Sequence, residues 1–400
     1  MKKALFTLIT ISIFTGSNTI AQPLKSESKS ELDELTLSTY FQNSGLPAAM
    51  MGYMTKEKEM EWFAFGPSIW GGENTINENN IFRIYSMTKA ITSVAAMQLV
   101  EQGLIGLDDP LDKLMPEMTS IPILTKDGEL VKASKAITLR NLLTHTAGFG
   151  YDFLDYRLQS FDKSEWEYDD LPRLFEAGER WQYGTNTEWV GKIIEKVSGD
   201  NLETYFRKNI TGPLKMNSTW FNVPENLKEN IVSWGVRNQT GFQEYPRIPT
   251  EPVAEYNGGG GLFGSPKDYM IFLKCILNDG KHADGQILKP ETIELMFKNQ
   301  LADDLSLNWN LPEGGLPDFM GHFPDESDTY GLAWAIEDSE DELVRNRGAV
   351  YWAGIANSYY TLDKEKGTAI VYFTQFLPFN DKVSYDFYRL FEKEVYGKMK

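Results

Sequence analysis

Strand-like segments lie at both ends of this chain, and helical patterns fill the middle. Residues 47–66 contain two apolar runs around a charged turn, which is typical of a β-hairpin. Residues 329–337, 349–363 and 368–376 are rich in β-branched and aromatic residues, with turn residues between them. From about residue 111 to residue 245, apolar residues recur at helical spacing between loops. Strands separated by so long a helical stretch can share one sheet only if the chain leaves that sheet and later returns to it.

This order predicts an α/β (α+β) fold, in which an antiparallel sheet flanked by helices is built from the N- and C-terminal segments. A mainly helical domain is inserted between them. We place the sheet domain at residues 31–110 and 246–400 and the inserted domain at residues 111–245. The length of 400 residues agrees with about two domains, and a hydrophobic fraction of 42% is enough for a large core.

The N-terminus has the pattern of a secretory signal. Two lysines precede an apolar run at residues 4–14 that is too short to span a bilayer, and residues 19–21 offer small side chains before a cleavage point. We predict a signal peptide over residues 1–21 and a polar linker over residues 22–30. No later stretch reaches the roughly 18 consecutive apolar residues of a membrane helix. We therefore expect an exported mature chain, periplasmic or extracellular, without membrane insertion.

Composition excludes several classes of function. The formal net charge of −18 at pH 7 argues against binding to nucleic acid or to an anionic membrane. The single cysteine, Cys275, lies among periodic apolar residues, which predicts a core position and excludes an internal disulfide. No H-E-x-x-H, G-x-S-x-G or Cys/His metal-ligand pattern occurs, so we expect neither a metal nor another cofactor. A Ser-His-Asp triad through His145 stays open beside a purely structural role for that histidine.

The pattern S-x-x-K occurs three times, and its context differs each time. Ser26 lies in the polar linker, and Ser160 lies among carboxylates. Ser86 follows an apolar strand-like stretch and opens an apolar helix, where Lys89 shares its face. A serine hydroxyl becomes a nucleophile only when a base takes its proton, and a lysine can be that base where its ammonium form is disfavoured. The alternative is that Ser86 merely caps the helix, and local context leaves both interpretations open.

Five segments stand out in order along the chain: FRIYSMTKAITSVAAMQLVEQGLIGLDDPL, LRNLLTHTAGFGYDF, WQYGTNTEWVGKIIEKVSG, NGGGGLFGSPKDYMIFL and YWAGIANSYYTLD. Together they resemble the serine β-lactamase-related superfamily, over roughly residues 36–395. That superfamily contains class C β-lactamases, D-alanyl-D-alanine carboxypeptidases, family VIII esterases and the fungal acyl-transferring transesterases.

The resemblance implies roles for three catalytic residues. Ser86 is the acylated nucleophile and Lys89 its proton partner. The loop tyrosine of the superfamily matches Tyr183 in WQYGTN. A phenol is a weak base in water, but a nearby ammonium favours the phenolate, so Lys89 and Tyr183 can share one proton.

The resemblance also identifies a substrate-binding strand. The K-T-G strand of the superfamily corresponds here to Trp352-Ala353-Gly354-Ile355, so the oxyanion donors are the N–H groups of Ser86 and Ile355. Ala353 and Gly354 are small enough to let substrate approach the strand backbone. Trp352 replaces the lysine that binds a substrate carboxylate, which leaves an aromatic wall without charge at that position.

A second difference from the superfamily pattern lies beside Tyr183. Position 185 is Thr where Y-x-N expects Asn, and Asn186 is displaced by one residue. Asn186, Phe149, Gly259 and Gly260 are further candidates for the substrate pocket. The alternative role of Phe149 is core packing. The alternative role of the two glycines is to form a flexible connection between elements.

Together these features are most similar to the family VIII esterases and the transesterase branch, in which W-x-G replaces K-T-G. They predict an exported serine carboxylesterase that forms a Ser86 acyl-enzyme from neutral esters of small or medium acyl groups. Water or an alcohol then accepts the acyl group. A β-lactamase or D-alanyl-D-alanine carboxypeptidase is one alternative, and a catalytically silent binding or sensor protein is another. The expected partner is a small ester, and the sequence leaves the oligomeric state open.

Overall fold

The computed structural model describes residues 32–246, 251–307, 323–325, 327–339 and 344–399. The predicted signal peptide (1–21) and linker (22–30) lie outside the described residues.

Helices and short strands alternate along the whole chain. The helices are α1 (Glu34–Ser44), α2 (Thr88–Glu101), α3 (Pro116–Thr119), α4 (Leu139–Leu143), α5 (Tyr156–Ser160), α6 (Asn186–Ser198), α7 (Leu202–Phe206), α8 (Pro266–Leu277), α9 (Pro290–Met296) and α10 (Lys382–Gly397). The strands are β1 (Ala49–Thr55), β2 (Glu61–Phe65), β3 (Phe82–Arg83), β4 (Ile123–Leu124), β5 (Leu130–Val131), β6 (Trp234–Asn238), β7 (Gly241–Tyr245), β8 (Phe263–Gly264), β9 (Lys281–His282), β10 (Gly285–Gln286), β11 (Thr329–Tyr330), β12 (Ala335–Ile336), β13 (Val350–Gly354), β14 (Ser358–Asp363), β15 (Thr368–Phe373) and β16 (Phe376–Leu377).

One seven-stranded antiparallel sheet joins the two ends of the chain. Its strand order is β11-β12-β13-β14-β15-β1-β2. The two ends of the chain meet in the pairing of β15 with β1, where Met50 lies opposite Phe373 and Thr55 opposite Thr368. This confirms the predicted fold class of an antiparallel sheet built from both termini. The exact domain boundaries, after residues 110 and 245, stay a prediction.

Helices cover both faces of this sheet. Along β15, Tyr372 packs against Phe387 of α10, while the next residue, Phe373, packs against Tyr269 of α8. Because successive strand residues point to opposite faces, both sets must be apolar. This explains why β13, β14 and β15 are buried along their whole length instead of alternating between polar and apolar residues.

The middle of the chain is less regular than the predicted helical domain. Only α6 is long there, with 13 residues, whereas α4, α5 and α7 have five each. The hairpin of β6 and β7 is also present, joined in parallel to β16. The helical spacing of apolar residues therefore predicted short helices of one or two turns as well as a long helix.

A short strand pair positions the candidate site. β3 pairs with β8, so that Arg83 lies opposite Phe263 and Phe82 opposite Gly264. This pairing brings the start of α2 beside the glycine-rich segment at residues 257–261. α2 itself is buried at every position from Thr88 to Leu99, which makes it the central helix of the molecule.

The described residues contain no helix with both the length and the apolar character needed to cross a bilayer. They also contain no group of three or more His, Cys, Asp or Glu side chains placed to hold a metal ion.

A buried ionic cluster fastens α10 to the sheet. Glu392 is fully buried and accepts hydrogen bonds from Thr361 Oγ1 and Arg389 Nη1, each at 2.5 Å. Arg345 Nε lies 3.4 Å from Glu392 and 3.6 Å from Glu337. The side chains of Arg345 and of both glutamates are almost inaccessible to solvent. Removing one member of such a cluster leaves an uncompensated buried charge.

We therefore expect Glu392→Ala to lower the free energy of unfolding by about 3–5 kcal/mol. Urea denaturation followed by circular dichroism measures the loss. Lys382→Ala is the matched control on the same helix, because its pair with Asp386 is exposed and its loss costs below about 1 kcal/mol. Equal effects of the two substitutions would contradict this role for the buried cluster.

Candidate active site

Ser86 lies on a tight turn that precedes α2. Residues Tyr85–Met87 form one turn of 3₁₀ helix, and Tyr85 has φ of 45°, in the left-handed region that bulky residues rarely occupy. The first residue of α2 is Thr88, and its N-cap, Met87, provides no side-chain hydrogen bond. Ser86 is therefore not the N-cap of this helix, so the capping alternative fails.

Strand β13 lies directly against this turn. A Cβ atom at Gly354 would lie 2.5 Å from the carbonyl oxygen of Ile84 and 2.6 Å from Ser358 Oγ. Gly354 therefore admits the backbone that carries Ser86, while its predicted role in substrate approach stays a prediction. Ala353 and Ile355 line the same cavity as Ser86, which brings the two predicted oxyanion donors to one place.

Lys89 is buried on the first turn of α2 and makes three polar contacts. Its Nζ atom donates to the carbonyl oxygen of Gly259 at 2.7 Å and to Tyr151 Oη at 2.9 Å. It lies 3.5 Å from Ser86 Oγ, at the outer limit of a hydrogen bond. Such contacts commonly shorten when substrate binds. The predicted serine–lysine pair is thus assembled, with the lysine held by two further groups.

Tyr151 and Glu188 extend this contact into the protein interior, and the sequence analysis missed both. Tyr151 Oη donates to Glu188 Oε1 at 2.8 Å while it accepts from Lys89. Burial, and next the charge of Glu188, raise the pKa of Tyr151 well above its usual value, so this phenol stays protonated. Burial also raises the pKa of Glu188, and the nearby Lys89 opposes that change.

The sequence signals for these two residues differ. Glu188 is a carboxylate on the buried side of an otherwise apolar helix pattern, which is an unusual position for a charged residue. Tyr151 is one of 19 tyrosines, and its sequence context does not distinguish it.

Tyr183, the predicted catalytic tyrosine, lies on the other side of Lys89. The Lys89 nitrogen is 4.9 Å from the centre of its ring, and Trp352 Nε1 donates to Tyr183 Oη at 3.3 Å. The rings of Tyr183 and Trp352 pack with centroids 5.1 Å apart. Two tyrosines therefore flank one lysine, and the hydroxyl proton of Tyr151 is directed to a carboxylate.

His145 has a structural role behind this site. It is fully buried, its Nδ1 is 3.0 Å from Asn186 Nδ2, and its ring packs 4.8 Å from that of Tyr183. Burial, and then the charge of Lys89, lower its pKa well below the usual value, so the imidazole is neutral. It hydrogen-bonds an amide and not Ser86, so the triad alternative fails.

The site opens into a cavity of about 240 Å³. Eight of its 17 lining residues are aromatic, and two, Arg83 and Glu188, are charged. The lining residues are Arg83, Tyr85, Ser86, Tyr151, Phe153, Leu154, Tyr168, Tyr183, Glu188, Asn257, Gly259, Gly260, Phe323, Trp352, Ala353, Ile355 and Phe379.

Two predicted pocket residues lie outside this lining. Asn186 is fully buried, and its amide donates to the carbonyl oxygen of Phe149 at 3.2 Å. Phe149 packs against Trp189, with ring centroids 6.0 Å apart. Both residues are buried beside the segment that carries Tyr183, and their assignment to the substrate pocket stays a prediction.

The other serines of the S-x-x-K pattern and the single cysteine lie elsewhere in the chain. Ser160 ends α5, and Lys163 pairs with Asp152 at 2.9 Å. Ser26 lies outside the described residues. Cys275 is buried in α8, and burial raises the pKa of its thiol to about 12, which confirms its predicted core position.

Gly259 is constrained more tightly than its neighbour Gly260. A Cβ atom at Gly259 would lie 2.2 Å from the Glu188 carboxylate, whereas one at Gly260 would lie 3.7 Å from the nearest atom outside its chain neighbours. The carbonyl of Gly259 also accepts from Lys89. Close packing, and not flexibility, explains the glycine at position 259.

We expect Gly259→Ala to lower kcat/KM on an activated ester by about 100-fold, because displacing this carbonyl or Glu188 misplaces Lys89. Gly260→Ala is the matched control, with an expected loss below about threefold, since its Cβ meets only ordinary van der Waals contacts. Steady-state kinetics of both purified variants measure the difference. Similar losses in the two variants would contradict the packing argument.

Comparisons with known proteins agree with this geometry. The sequence profile of the family named Beta-lactamase matches residues 24–394. The monacolin J acid methylbutanoyltransferase of Aspergillus terreus is 31% identical over 344 residues, which are 79% of this chain and 82% of the transferase. The lovastatin esterase of Penicillium rubens is 27% identical over 364 residues, which are 80% of this chain and 86% of the esterase.

A solved structure of a related acyltransferase has a similar fold. A mutant of simvastatin synthase from Aspergillus terreus matches with a TM-score of 0.83 and 28% identity, covering 91% of this chain and 94% of the synthase. The predicted resemblance to the serine β-lactamase-related superfamily, with its fungal transesterase branch, is thereby confirmed. The chain belongs to the Beta-lactamase family.

Proposed function

We propose that this protein cleaves carboxylic esters through an acyl-enzyme on Ser86 and passes the acyl group to water or to an alcohol. As a member of its family, the chain is a serine-type enzyme of the hydrolase and acyltransferase class. The observation that carries the proposal is the position of Ser86 beside the buried Lys89, within an aromatic cavity. Export of the mature chain belongs to the same proposal, and the N-terminal mass of the protein recovered outside the cytoplasm tests it.

The first half of the reaction acylates the enzyme. Ser86 Oγ attacks the ester carbonyl while Lys89 and Tyr183 take its proton. The carbonyl oxygen becomes an oxyanion, which the N–H groups of Ser86 and Ile355 stabilise. The carbon–oxygen bond to the alcohol then breaks, and the alcohol leaves with the proton.

Tyr151 has a different part in this scheme. Its proton is directed to Glu188, so it cannot take a proton from Ser86 without first losing its own. It accepts from Lys89 and thereby fixes the lysine nitrogen beside the serine. Tyr151 and Glu188 are therefore positioning residues, and Tyr183 is the tyrosine that exchanges a proton.

The second half of the reaction reverses these steps. Water or an acceptor alcohol enters where the first alcohol left and gives its proton to the same pair. The oxyanion forms again and collapses, and Ser86 recovers its proton. Relatives named as a methylbutanoyltransferase and as an esterase correspond to these two acceptors, an alcohol and water.

The cavity favours a small or medium apolar acyl group. Trp352, Tyr183 and Phe323 form a continuous aromatic wall, with Trp352 5.1 Å from Tyr183 and 5.7 Å from Phe323 between ring centroids. A wall of this kind binds a short hydrocarbon chain and offers no charge at position 352 for the carboxylate of a penicillin.

Intact-protein mass spectrometry tests the acyl-enzyme directly. After brief exposure to p-nitrophenyl butyrate, we expect a transient butyryl adduct that is absent from Ser86→Ala, and little adduct from a penicillin. A stable penicillin adduct without ester turnover would instead place the protein with the penicillin-binding members of its family. Absence of any adduct, together with full turnover by Ser86→Ala, would overturn the proposal.

Matched substitutions separate the two tyrosines. Tyr183→Phe is expected to lower kcat/KM by about 10²–10⁴, the usual contribution of a proton-transfer group. Tyr151→Phe removes one hydrogen bond to Lys89 and is expected to cost about tenfold. Tyr168→Phe, at another tyrosine of the cavity, serves as the control. A larger loss in Tyr151→Phe than in Tyr183→Phe would exchange the two assigned roles.

A further inference from the structure

A second cavity, of about 620 Å³, lies along α8. Its volume falls within the range of small-molecule binding sites, about 300–1,000 Å³. Residues of α8 line it together with Lys56 and with residues from two further segments, 213–215 and 278–284. None of its lining residues also lines the cavity at Ser86, so this α8 groove is a separate site.

Lysine side chains provide most of the charge in the α8 groove. Among the described residues, four lysines line it, against two aspartates, which gives the lining a formal charge of +2. The whole chain has a formal charge of −18, so a local excess of cations is unexpected. The lysines come from four separate segments, namely the β1–β2 turn, the connection between α7 and β6, α8 and β9; they are Lys56, Lys215, Lys274 and Lys281.

The two aspartates of the lining do not neutralise these lysines. Asp279 pairs at 2.6 Å with Lys364, which lies outside the lining. Asp284 lies 3.6 Å from Lys215, but both side chains are largely exposed. An ion pair between exposed side chains contributes little, because water and salt screen it. The groove therefore keeps an excess of positive charge.

The other three lysines are available to an anion. Lys56 and Lys281 form no ion pair within the described ranges. Lys274 lies 3.8 Å from Glu59, whose side chain is 93% exposed, so this contact is weak. Lys56 is partly fixed, since its backbone N–H donates to the carbonyl oxygen of Gly367 at 2.9 Å and its side chain lies across that glycine. Each ammonium group carries three donors that a bound anion can accept.

The uncharged part of the lining is mostly apolar. Leu214, Cys275 and Leu277 are buried, and Ile271 is half-buried. Three of the four lysines are exposed. The groove is therefore apolar in its depth and cationic toward solvent. A hydrocarbon chain gains free energy when it leaves water for such an apolar surface, while an anionic group gains from the nearby ammonium groups.

We propose that the α8 groove binds the anion of a medium-chain fatty acid, with its hydrocarbon chain on the apolar residues and its carboxylate beside the lysines. An inorganic anion would leave the apolar part of the groove uncovered. The strongly negative net charge disfavours docking on an anionic membrane, so the occupant is a single molecule and not a lipid surface. Lysine carries a compact charge on a flexible stem, which suits a ligand that its chain anchors. Binding here does not depend on the proposed reaction at Ser86, because the two cavities share no lining residue.

Photocrosslinking followed by peptide mass spectrometry locates the ligand. The probe is decanoic acid with a diazirine in its chain. We expect labelled peptides that contain residues 213–215 or residues 271–284. An excess of decanoate should suppress this labelling. Acetate has the charge without the chain and decan-1-ol the chain without the charge, so neither should suppress it at the same concentration.

Calorimetric titration with decanoate measures the affinity of matched variants. Lys56→Gln/Lys281→Gln is expected to weaken binding by about tenfold, the effect of losing two partly exposed charge contacts. Lys382→Gln/Lys393→Gln is the control, because it removes the same charge from α10, outside the groove, and should leave the affinity within about twofold of the native value. Raising the ionic strength should weaken native binding more than binding to Lys56→Gln/Lys281→Gln.

Several results would overturn the inference in distinguishable ways. Labelling confined to peptides around Ser86 and Tyr151 would place the acid in the active site instead. Equal affinity for decan-1-ol would show that the charge is not recognised, and equal affinity for acetate would show a simple anion site. Equal losses in the two lysine variants would indicate an effect of net charge alone. An enzyme that turns over esters but binds no decanoate would contradict this inference and leave the proposed function intact.

Discussion

A lysine side chain buried beside a serine is the constraint on which this structure depends. Lys89 reaches no bulk water, so every proton on its nitrogen needs an acceptor inside the protein. Gly259 supplies one through its carbonyl and Tyr151 another through its hydroxyl, which Glu188 in turn orients. These partners come from the glycine-rich segment at residues 257–261, from the segment that precedes α5 and from α6, so one side chain links three segments. The site is therefore as rigid as the packing of those segments.

The sequence predicted the fold and the reactive centre from different kinds of signal. Apolar strands at both ends of the chain predicted the sheet, since strands buried on both faces are rich in β-branched and aromatic residues. Five ordered motifs predicted Ser86, Lys89 and Tyr183. The missed residues act through tertiary contacts: Tyr151 is important only because folding places its hydroxyl between Lys89 and Glu188. Likewise, only the distance from Gly354 to the backbone of Ile84 shows why this glycine is needed.

Two of the predicted pocket residues lie outside the cavity lining for one physical reason. Asn186 and Phe149 lie close to Tyr183 in space, but a helix and its preceding loop expose one side to the cavity and bury the other. Sequence proximity does not distinguish these sides. Trp352 determines the charge at one position of the cavity only. Arg83 enters that cavity from β3, which is distant in sequence from the strand of Trp352.

The pairing of β1 with β15 has a consequence for how the protein is made. Met50 lies opposite Phe373, so more than three hundred residues must be synthesised before these two strands can pair. Contacts between residues so far apart in sequence form slowly. Closing a long loop costs conformational entropy before the new contacts provide stabilising free energy. Residues near Ser86 leave the ribosome early, yet the strand that faces them is among the last to be translated. During that interval the apolar strands β1 and β2 lack their neighbour, which makes a nascent chain of this topology a natural client for chaperones.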